Sequence, residues 1–575
     1  MLHLTRREFI KDVGLVALGG GLAGIIAGRT APRAHVGRRK PGDKPNIVII
    51  LADALRADYV GAYGGRMTNY QGEPVSPTPN IDILAREGTL FTSAYGHSIT
   101  RLSMFSLHSG QIRSAMDPAY EGRYSCYFPT FPELFRQSGY RTQLLSANPV
   151  HYTFSANTRG YEIDDIYFGR SCYIDGKWRR HTDVEGAYVD ARTLLEGIGK
   201  APFMWYLHII PPHAPYDPTA RFRDCFDRGK RWAKEKDVFL GELLDARIKK
   251  ADGLPERPQY IRHHLDKITP RDLDHIKAMY AANILSADWF VGRVVNQLDW
   301  LGILDNTVLV IMSDHGEEFL EHGGIMHDGS MYEEDIRIPL IFRWPLGVVA
   351  GNRVDDFVSL ADIPATLLDW AGVQDELGDG RTLRVPLTRK MHSPHRTSII
   401  SDAEGVAIRE REEGKEWKAI IYDFQVVLSN GVKVWRRNRG DRPPELYDLS
   451  TDPGEQHNIA DRHPEHVGRF TQMAADYVAS GEKLWHGYVP HHGGPRNPKE
   501  IPSWDEEFMR AMNRAACGEK EAEETLGRTV DFKDILELDK KLLKGKISQE
   551  AAERLRALGY VGMGGVPSLQ PTPTP

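Results

Sequence analysis

Residues 46–53 read Asn-Ile-Val-Ile-Ile-Leu-Ala-Asp. From Ile47 to Leu51 the run is continuously apolar and mostly β-branched, with no polar alternation. Such a run makes a strand buried on both faces, the kind found inside a parallel sheet covered by helices. Phe203 to Leu207 (FMWYL) and Val308 to Met312 (VLVIM) have the same character, and Thr89 to Ala94 looks like another strand. Helical signals lie between them. Thr78-Pro79-Asn80 predicts a helix start, with Thr as cap and Pro in the first turn, and Gly88 predicts its end. Ser103 to Leu107 reads as the first turns of a short helix ending at Ser109-Gly110. Residues 277–302 carry helical periodicity, with Ile284, Phe290, Val291, Val294 and Leu298 on one face. Strands alternating with helices predict an α/β fold: a large, doubly wound, mostly parallel sheet flanked by helices.

The chain around this core has 575 residues, 41% hydrophobic and 26% charged, which excludes global disorder. A net charge of −6 excludes the basic excess of a nucleic-acid binder. Cys126, Cys172, Cys225 and Cys517 form no CxxC pair, which argues against a structural zinc site and leaves disulfide pairing open. Residues 1–44 read as an export signal and linker. Arg6-Arg7 with Phe9 precede a glycine-rich apolar run from Val13, resembling a twin-arginine signal. The expected destination is periplasmic or extracellular, with an N-terminal membrane anchor if the signal stays uncleaved. The catalytic α/β domain is expected over 45–375, with a charged insertion at about 218–270. A C-terminal subdomain with a short antiparallel sheet is expected over 376–485. Its strands are Ser398 to Ile400, Trp417 to Phe424 and Gln425 to Trp435, with Asn430-Gly431 as a hairpin turn. Residues 486–575 read as a helical extension ending in a disordered Pro-Thr tail.

The functional information lies in the polar residues that end each apolar strand. Ile47–Leu51 runs into Asp53, Phe203–Leu207 into His208 with His213 beyond, and Val308–Met312 into Asp314-His315-Gly316. Open α/β sheets bind ligands outside the carboxyl ends of their strands. Acids and imidazoles gathered there suit a divalent cation. Thr100 precedes a predicted helix, where its hydroxyl meets the dipole of a helix start that favours anions. Beside a metal, a Thr hydroxyl is a candidate nucleophile; without one it is a plain helix cap.

These residues, in this order, resemble the sulfatase branch of the alkaline phosphatase superfamily. Asn46 to Asp53 with Leu55-Arg56-Ala57-Asp58 looks like the family's opening strand and metal Asp. Pro212-His213-Ala214-Pro215-Tyr216 resembles its histidine loop, Ser313-Asp314-His315-Gly316 its metal block, and Glu445-Leu446-Tyr447-Asp448 its closing motif. His327, Tyr332-Glu333-Glu334 and Arg337-Ile338-Pro339 come next, as the family has them. The departures are informative. The family signature is Cys (or Ser)-x-Pro-Ser-Arg, with formylglycine made from the first residue. Here Thr100 holds that place, Leu102 replaces Pro, Met104 replaces Arg, and Ser103 matches. Ala54 replaces a second metal Asp.

The resemblance implies a metal-dependent ester hydrolase acting on an anionic phosphate or sulfate ester. Asp53, Asp314 and His315 would hold one divalent ion, whether Ca, Mg, Mn or Zn. Thr100 would attack, and His213, His327 and His208 would contact the transferred group or protonate the leaving oxygen, with His322 a further candidate. Phosphate mono- or diesters are slightly favoured. The alternatives are a sulfatase working without formylglycine from Cys, a transferase of phospho-head groups, and an inactive binding protein that keeps the fold.

Overall fold

Along the strand Asn46–Ala52 every residue is buried, as its unbroken apolar sequence predicts, because both faces of the sheet are covered. The computed structural model describes residues 44–112, 129–146, 148, 159–162, 166–168, 172–174, 177–179, 184–196, 201–226 apart from 215 and 217, 268–327, 330–373, 377–389, 398–402, 405–427, 433–437 and 442–486. The expected export signal, most of the charged insertion, the Asn430-Gly431 turn and the C-terminal extension lie outside these residues.

The central sheet is built from β1 (Asn46–Ala52), β2 (Thr89–Tyr95), β3 (Arg141–Ser146), β4 (Ile166–Phe168), β5 (Phe203–Ile209), β6 (Thr307–Met312), β7 (Arg337–Arg343), β8 (Asn352–Val354) and β9 (Val358–Ser359). Its order is β8-β2-β7-β6-β1-β5-β3-β4, with β9 also paired to β2. β1 runs parallel to β5 and β6, and β5 to β3; β7 alone is antiparallel to its neighbours β6 and β2. β2, β1, β5 and β6 therefore all end at one edge.

The longer helices are α1 (Pro79–Glu87), α2 (Thr100–Ser109), α3 (Phe131–Gln137), α4 (Val184–Glu196), α5 (Pro270–Trp300), α6 (Asp362–Trp370) and α7 (Pro464–His486). Successive strand side chains point to opposite faces, so β1 divides its residues between two cores. Val48 and Ile50 pack with residues of α1, α4 and α5. Ile47, Ile49 and Leu51 pack with residues of α2, α3 and α6. Each fully buried aliphatic side chain contributes about 1.5–3 kcal/mol, which makes this strand the anchor of both layers.

Local details refine the sequence expectations. Thr78 precedes α1, yet its side chain makes no cap; Thr78 Oγ1 accepts from Gly61 N–H at 2.8 Å and donates to Asp82 Oδ1 at 3.0 Å. The long helix starts at Pro270, seven residues before its periodicity becomes visible, because Thr269 and Asp272 form a reciprocal capping box.

The C-terminal sheet comprises β10 (Ser398–Asp402), β11 (Val406–Glu412), β12 (Lys415–Ile421) and β13 (Glu445–Asp448), all antiparallel. The expected strand from Gln425 to Trp435 instead falls across both arms of a separate antiparallel pair, Asp423–Val427 with Lys433–Arg437, in which Gln425 lies opposite Trp435. One face of the sheet packs on α7. The other meets Tyr95, Ile336 and Phe357 of the main body. At this seam the fully buried Lys418 pairs with Glu455 at 2.6 Å and Glu333 at 3.3 Å. Among the described residues, no helix is long and apolar enough to cross a membrane.

Candidate active site

Asp53 comes directly after β1, and its backbone N–H donates to Ile209 O at 3.0 Å, continuing the pairing of β1 with β5. His208 lies opposite Leu51 in that register. Its Nε2 reaches Asp53 Oδ2 at 3.0 Å, and the amide of Asn148, just past β3, donates to the same oxygen at 2.5 Å. One carboxylate oxygen is thereby engaged. The other, Oδ1, has no hydrogen-bond partner among the described residues and lies 3.6 Å from His315 Nε2.

Asp314 repeats the arrangement at the end of β6. Its Oδ1 accepts from Ala54 N–H at 3.2 Å and His315 N–H at 3.0 Å. Its Oδ2 has no such partner and lies 3.5 Å from His315 Nε2. His315 points Nδ1 at Gly316 O, 2.8 Å away. A ring that donates through Nδ1 keeps a lone pair on Nε2, facing both carboxylates.

Thr100 completes the group. Ile99 occupies the cap position of α2 and Thr100 is the first helical residue, so its hydroxyl caps nothing. It lies 3.1 Å from His315 Nε2. Two contacts bring the helix start to the carboxylate loop. A Cβ on Gly96 would sit 2.0 Å from Asp314 O, so only glycine permits the approach. Ser103 Oγ accepts from His97 N–H at 2.9 Å and donates to Asp314 O at 2.8 Å. Met104, at the signature's arginine position, is fully buried and takes the Tyr206 hydroxyl on its sulfur at 3.0 Å.

Asp53, Asp314 and His315 are fully buried. Burial alone would raise the Asp53 pKa; the charge of His213, the hydrogen bond and charge of His208, and the charge of His315 outweigh it and hold the carboxyl well below the ordinary carboxylate range. Two buried carboxylates each presenting an unpartnered oxygen to one space call for a cation. Ligand atoms of Asp53, His208 and Asp314 lie within 4.8 Å of one another. His208 shares this cluster, but its Nε2 meets the Asp53 oxygen already bonded to Asn148. His315 faces the two unpartnered oxygens. The donor set of Asp53 Oδ1, Asp314 Oδ2, His315 Nε2 and Thr100 Oγ1 thus fits a divalent ion, with His208 and Asn148 orienting Asp53.

His213 and His327 form the wall of the space. Their ring centroids are 4.6 Å apart, and His327 lies 4.1 Å and His213 6.5 Å from His315. His213 N–H donates to Asp53 O at 3.1 Å, and its Nδ1 meets Ala214 O. His327 Nδ1 meets Glu317 Oε1 at 2.7 Å. His322 goes elsewhere: it stacks on Tyr332 at 3.6 Å and pairs with Glu334 at 2.5 Å. His97 bonds Ser106 at 2.9 Å. Asn148 and Glu317 also belong to the site, although the sequence does not single them out. Asn148 obeys the strand-end rule, but its strand has too few consecutive apolar residues to announce itself.

A family model described as Sulfatase matches residues 45–373. Arylsulfatase K of Canis lupus familiaris is 26% identical over 479 residues, covering 76% of this chain and 84% of the relative. Arylsulfatase K of Danio rerio is 28% identical over 483 residues, covering 77% and 86%. Among solved structures, BT4656 in complex with its substrate D-glucosamine-2-N,6-O-disulfate is similar with a TM-score of 0.56 and 21% identity, over 76% of this chain and 98% of that one. The phosphonate monoester hydrolase of Agrobacterium radiobacter is similar at 0.54 and 20%, over 76% and 96%. At these identities the structural likeness speaks for the fold.

Proposed function

The chain belongs to the sulfatase family, a family of divalent-metal-dependent ester hydrolases, and from that premise we propose that it cleaves a phosphate mono- or diester with Thr100 as nucleophile. One observation carries this: Thr100 Oγ1, Asp53 Oδ1 and Asp314 Oδ2 all converge on His315 Nε2, at 3.1, 3.6 and 3.5 Å. Asp53, Asp314 and His315 would hold the cation, which when bound supplies Lewis-acid polarisation and lowers the hydroxyl pKa.

The remaining work falls to the chain. The first turn of α2 aims the Thr100 hydroxyl into the space the carboxylates face, and the positive end of the helix dipole favours an anionic ester there. Glu317 fixes the His327 ring through Nδ1, leaving Nε2 to protonate the departing oxygen. His213, anchored through Nδ1 on Ala214 O, offers a second donor beside it. The disulfated-sugar and phosphonate-ester neighbours support an anionic ester substrate.

The preference for phosphate comes from chemistry. A formylglycine diol expels sulfate by breaking a C–O bond with its second hydroxyl. A plain threonine lacks that hydroxyl, so its ester must be hydrolysed at the central atom, a route well suited to phosphorus. The arylsulfatase K relatives favour the competing reading, a sulfate ester. The test is kcat/KM for matched nitrophenyl phosphate, phosphodiester and sulfate substrates, with Thr100→Ala as control. Faster phosphate cleavage that Thr100→Ala removes is expected; a clear sulfate preference removed by the same substitution would overturn the phosphate assignment and keep the nucleophile. Export in the folded state is part of the proposal, on the strength of Arg6-Arg7. Changing both to lysine should retain the precursor in the cytoplasm, and unchanged export would refute it.

A further inference from the structure

Within the turn that carries Asp53, Ala54 is fully buried at φ 59°. In this left-handed region the Cβ crowds the next carbonyl, and residues other than glycine are uncommon. Such a conformation persists only where its surroundings over-determine it. It has a consequence for the site, since it directs Ala54 N–H onto Asp314 Oδ1 at 3.2 Å and so joins the two carboxylate loops.

The group that holds it comes from more than two hundred residues away. The Tyr280 hydroxyl, from α5, donates to Ala54 O at 2.6 Å and accepts from Arg56 N–H at 2.9 Å. These two bonds straddle the turn. The Tyr280 ring is fully buried and packs edge-on against Tyr59 at 5.0 Å, Phe319 at 4.8 Å and Tyr216 at 5.7 Å. Its hydroxyl therefore has a fixed location. On the turn's other side, Ser313 Oγ accepts from Leu55 N–H at 2.8 Å. A buried tyrosine needs some partner for its hydroxyl. Here the partners are the peptide groups on either side of Leu55, the first of which is also the C-terminal peptide of the strained Ala54 next to Asp53.

We propose that Tyr280 is a positioning residue for the cation site: its hydroxyl keeps Ala54 left-handed, which aims the Asp53 carboxylate and docks Ala54 N–H on Asp314. The proposal rests on Asp53 and Asp314 being cation ligands. Tyr280→Phe keeps the packing ring and deletes both bonds, so Ala54 loses the restraint that opposes its own conformational preference. Glycine adopts the left-handed region without that penalty. The strain argument therefore separates loss of a latch from ordinary damage to packing.

The experiment is calorimetric titration of Mn²⁺ into chelator-stripped full-length protein. Tyr280→Phe should bind Mn²⁺ about 10–100-fold more weakly than wild type, the range seen when groups that orient metal ligands are removed. Ala54→Gly alone should bind nearly as wild type. The double variant, Tyr280→Phe with Ala54→Gly, should recover most of the lost affinity. Unchanged binding by Tyr280→Phe overturns the proposal, as does a double variant no better than Tyr280→Phe alone. Absence of Mn²⁺ binding by wild type would overturn the cation reading itself and the latch with it. Where near-UV circular dichroism shows that Tyr280→Phe does not fold, folding of the double variant supports the latch and its equal failure refutes it.

Discussion

Asp314→Asn separates the charge of the site from its scaffold. The amide keeps an acceptor at Oδ1 for Ala54 N–H and His315 N–H, now at 3.2 and 3.0 Å. It removes the charge on Oδ2, which has no hydrogen-bond partner among the described residues. Ligand atoms of Asp53 and Asp314 lie within 4.8 Å of each other. At an effective dielectric of about 20, two unit charges at that separation repel by about 3.5 kcal/mol, part of which the surrounding imidazoles offset. The metal-free variant should therefore be at least as stable as metal-free wild type. A cation at 100 to 1,000 times its Kd adds about 2.7–4.1 kcal/mol to the protein that binds it. A folded body of roughly 400 residues has an unfolding entropy of about 0.8 kcal/mol/K, so this raises Tm by about 3–5 °C. Differential scanning calorimetry of stripped protein, repeated with Ca²⁺, Mg²⁺, Mn²⁺ and Zn²⁺, reads both quantities. Wild type should show the rise with at least one ion, and Asp314→Asn with none. A metal-free variant much less stable than wild type that still shows the full rise would refute the reasoning.

Glu317→Gln should lower kcat about 10–100-fold with little change in KM, because the amide no longer stabilises the His327 cation through its 2.7 Å contact; steady-state kinetics on the best nitrophenyl ester decides this, and an unchanged kcat removes His327 from the acid role. His322 gives a pH signature of the fold. Burial would lower its pKa, but the hydrogen bond and charge of Glu334 outweigh that and push it up to about 9 from an ordinary 6.5. A raised histidine pKa contributes stability that is fully present below the unfolded value and lost as pH rises through the folded one. Urea unfolding of metal-free protein should lose on the order of 1–2 kcal/mol between about pH 6 and 10, after allowance for solvent screening, and His322→Gln should flatten that slope. An identical slope in the variant would contradict the pairing.

The central sheet is readable because its strands are buried on both faces. Ile47–Leu51, Phe203–Leu207 and Val308–Met312 have no polar residue to interrupt them, and the observed strands exceed these runs by only one or two residues at either end. The same rule locates Asp53, His208 and Asp314, since polar residues just past such strands stand out. It fails for Asn148, because Arg141–Ser146 has only Leu144 and Leu145 as a consecutive aliphatic pair. It cannot assign the two oxygens of Asp53, one held by His208 and Asn148 and one left facing His315. That division depends on the register of β1 with β5, which is a tertiary fact. Thr78 reads as a cap because a cap motif is local, whereas its hydroxyl is committed to the Gly61 turn and Asp82. Glu317 is hidden in a run of acids whose members differ only in the groups they face. Tyr280 lies on the apolar side of a long helix, where sequence marks it as core and only the structure reveals its contact with Ala54.

The most direct test of the account is the chemical state of Thr100 before and during turnover. The peptide that carries it should have the mass of unmodified threonine in resting enzyme. After rapid acid quench of a reaction with excess nitrophenyl phosphate, the same peptide should gain one phosphoryl group located on Thr100. Oxidation of the Thr100 hydroxyl to a carbonyl in resting enzyme, read as the loss of two hydrogens, or full turnover by Thr100→Ala with no adduct on the wild-type peptide, would contradict the assignment of Thr100 as nucleophile.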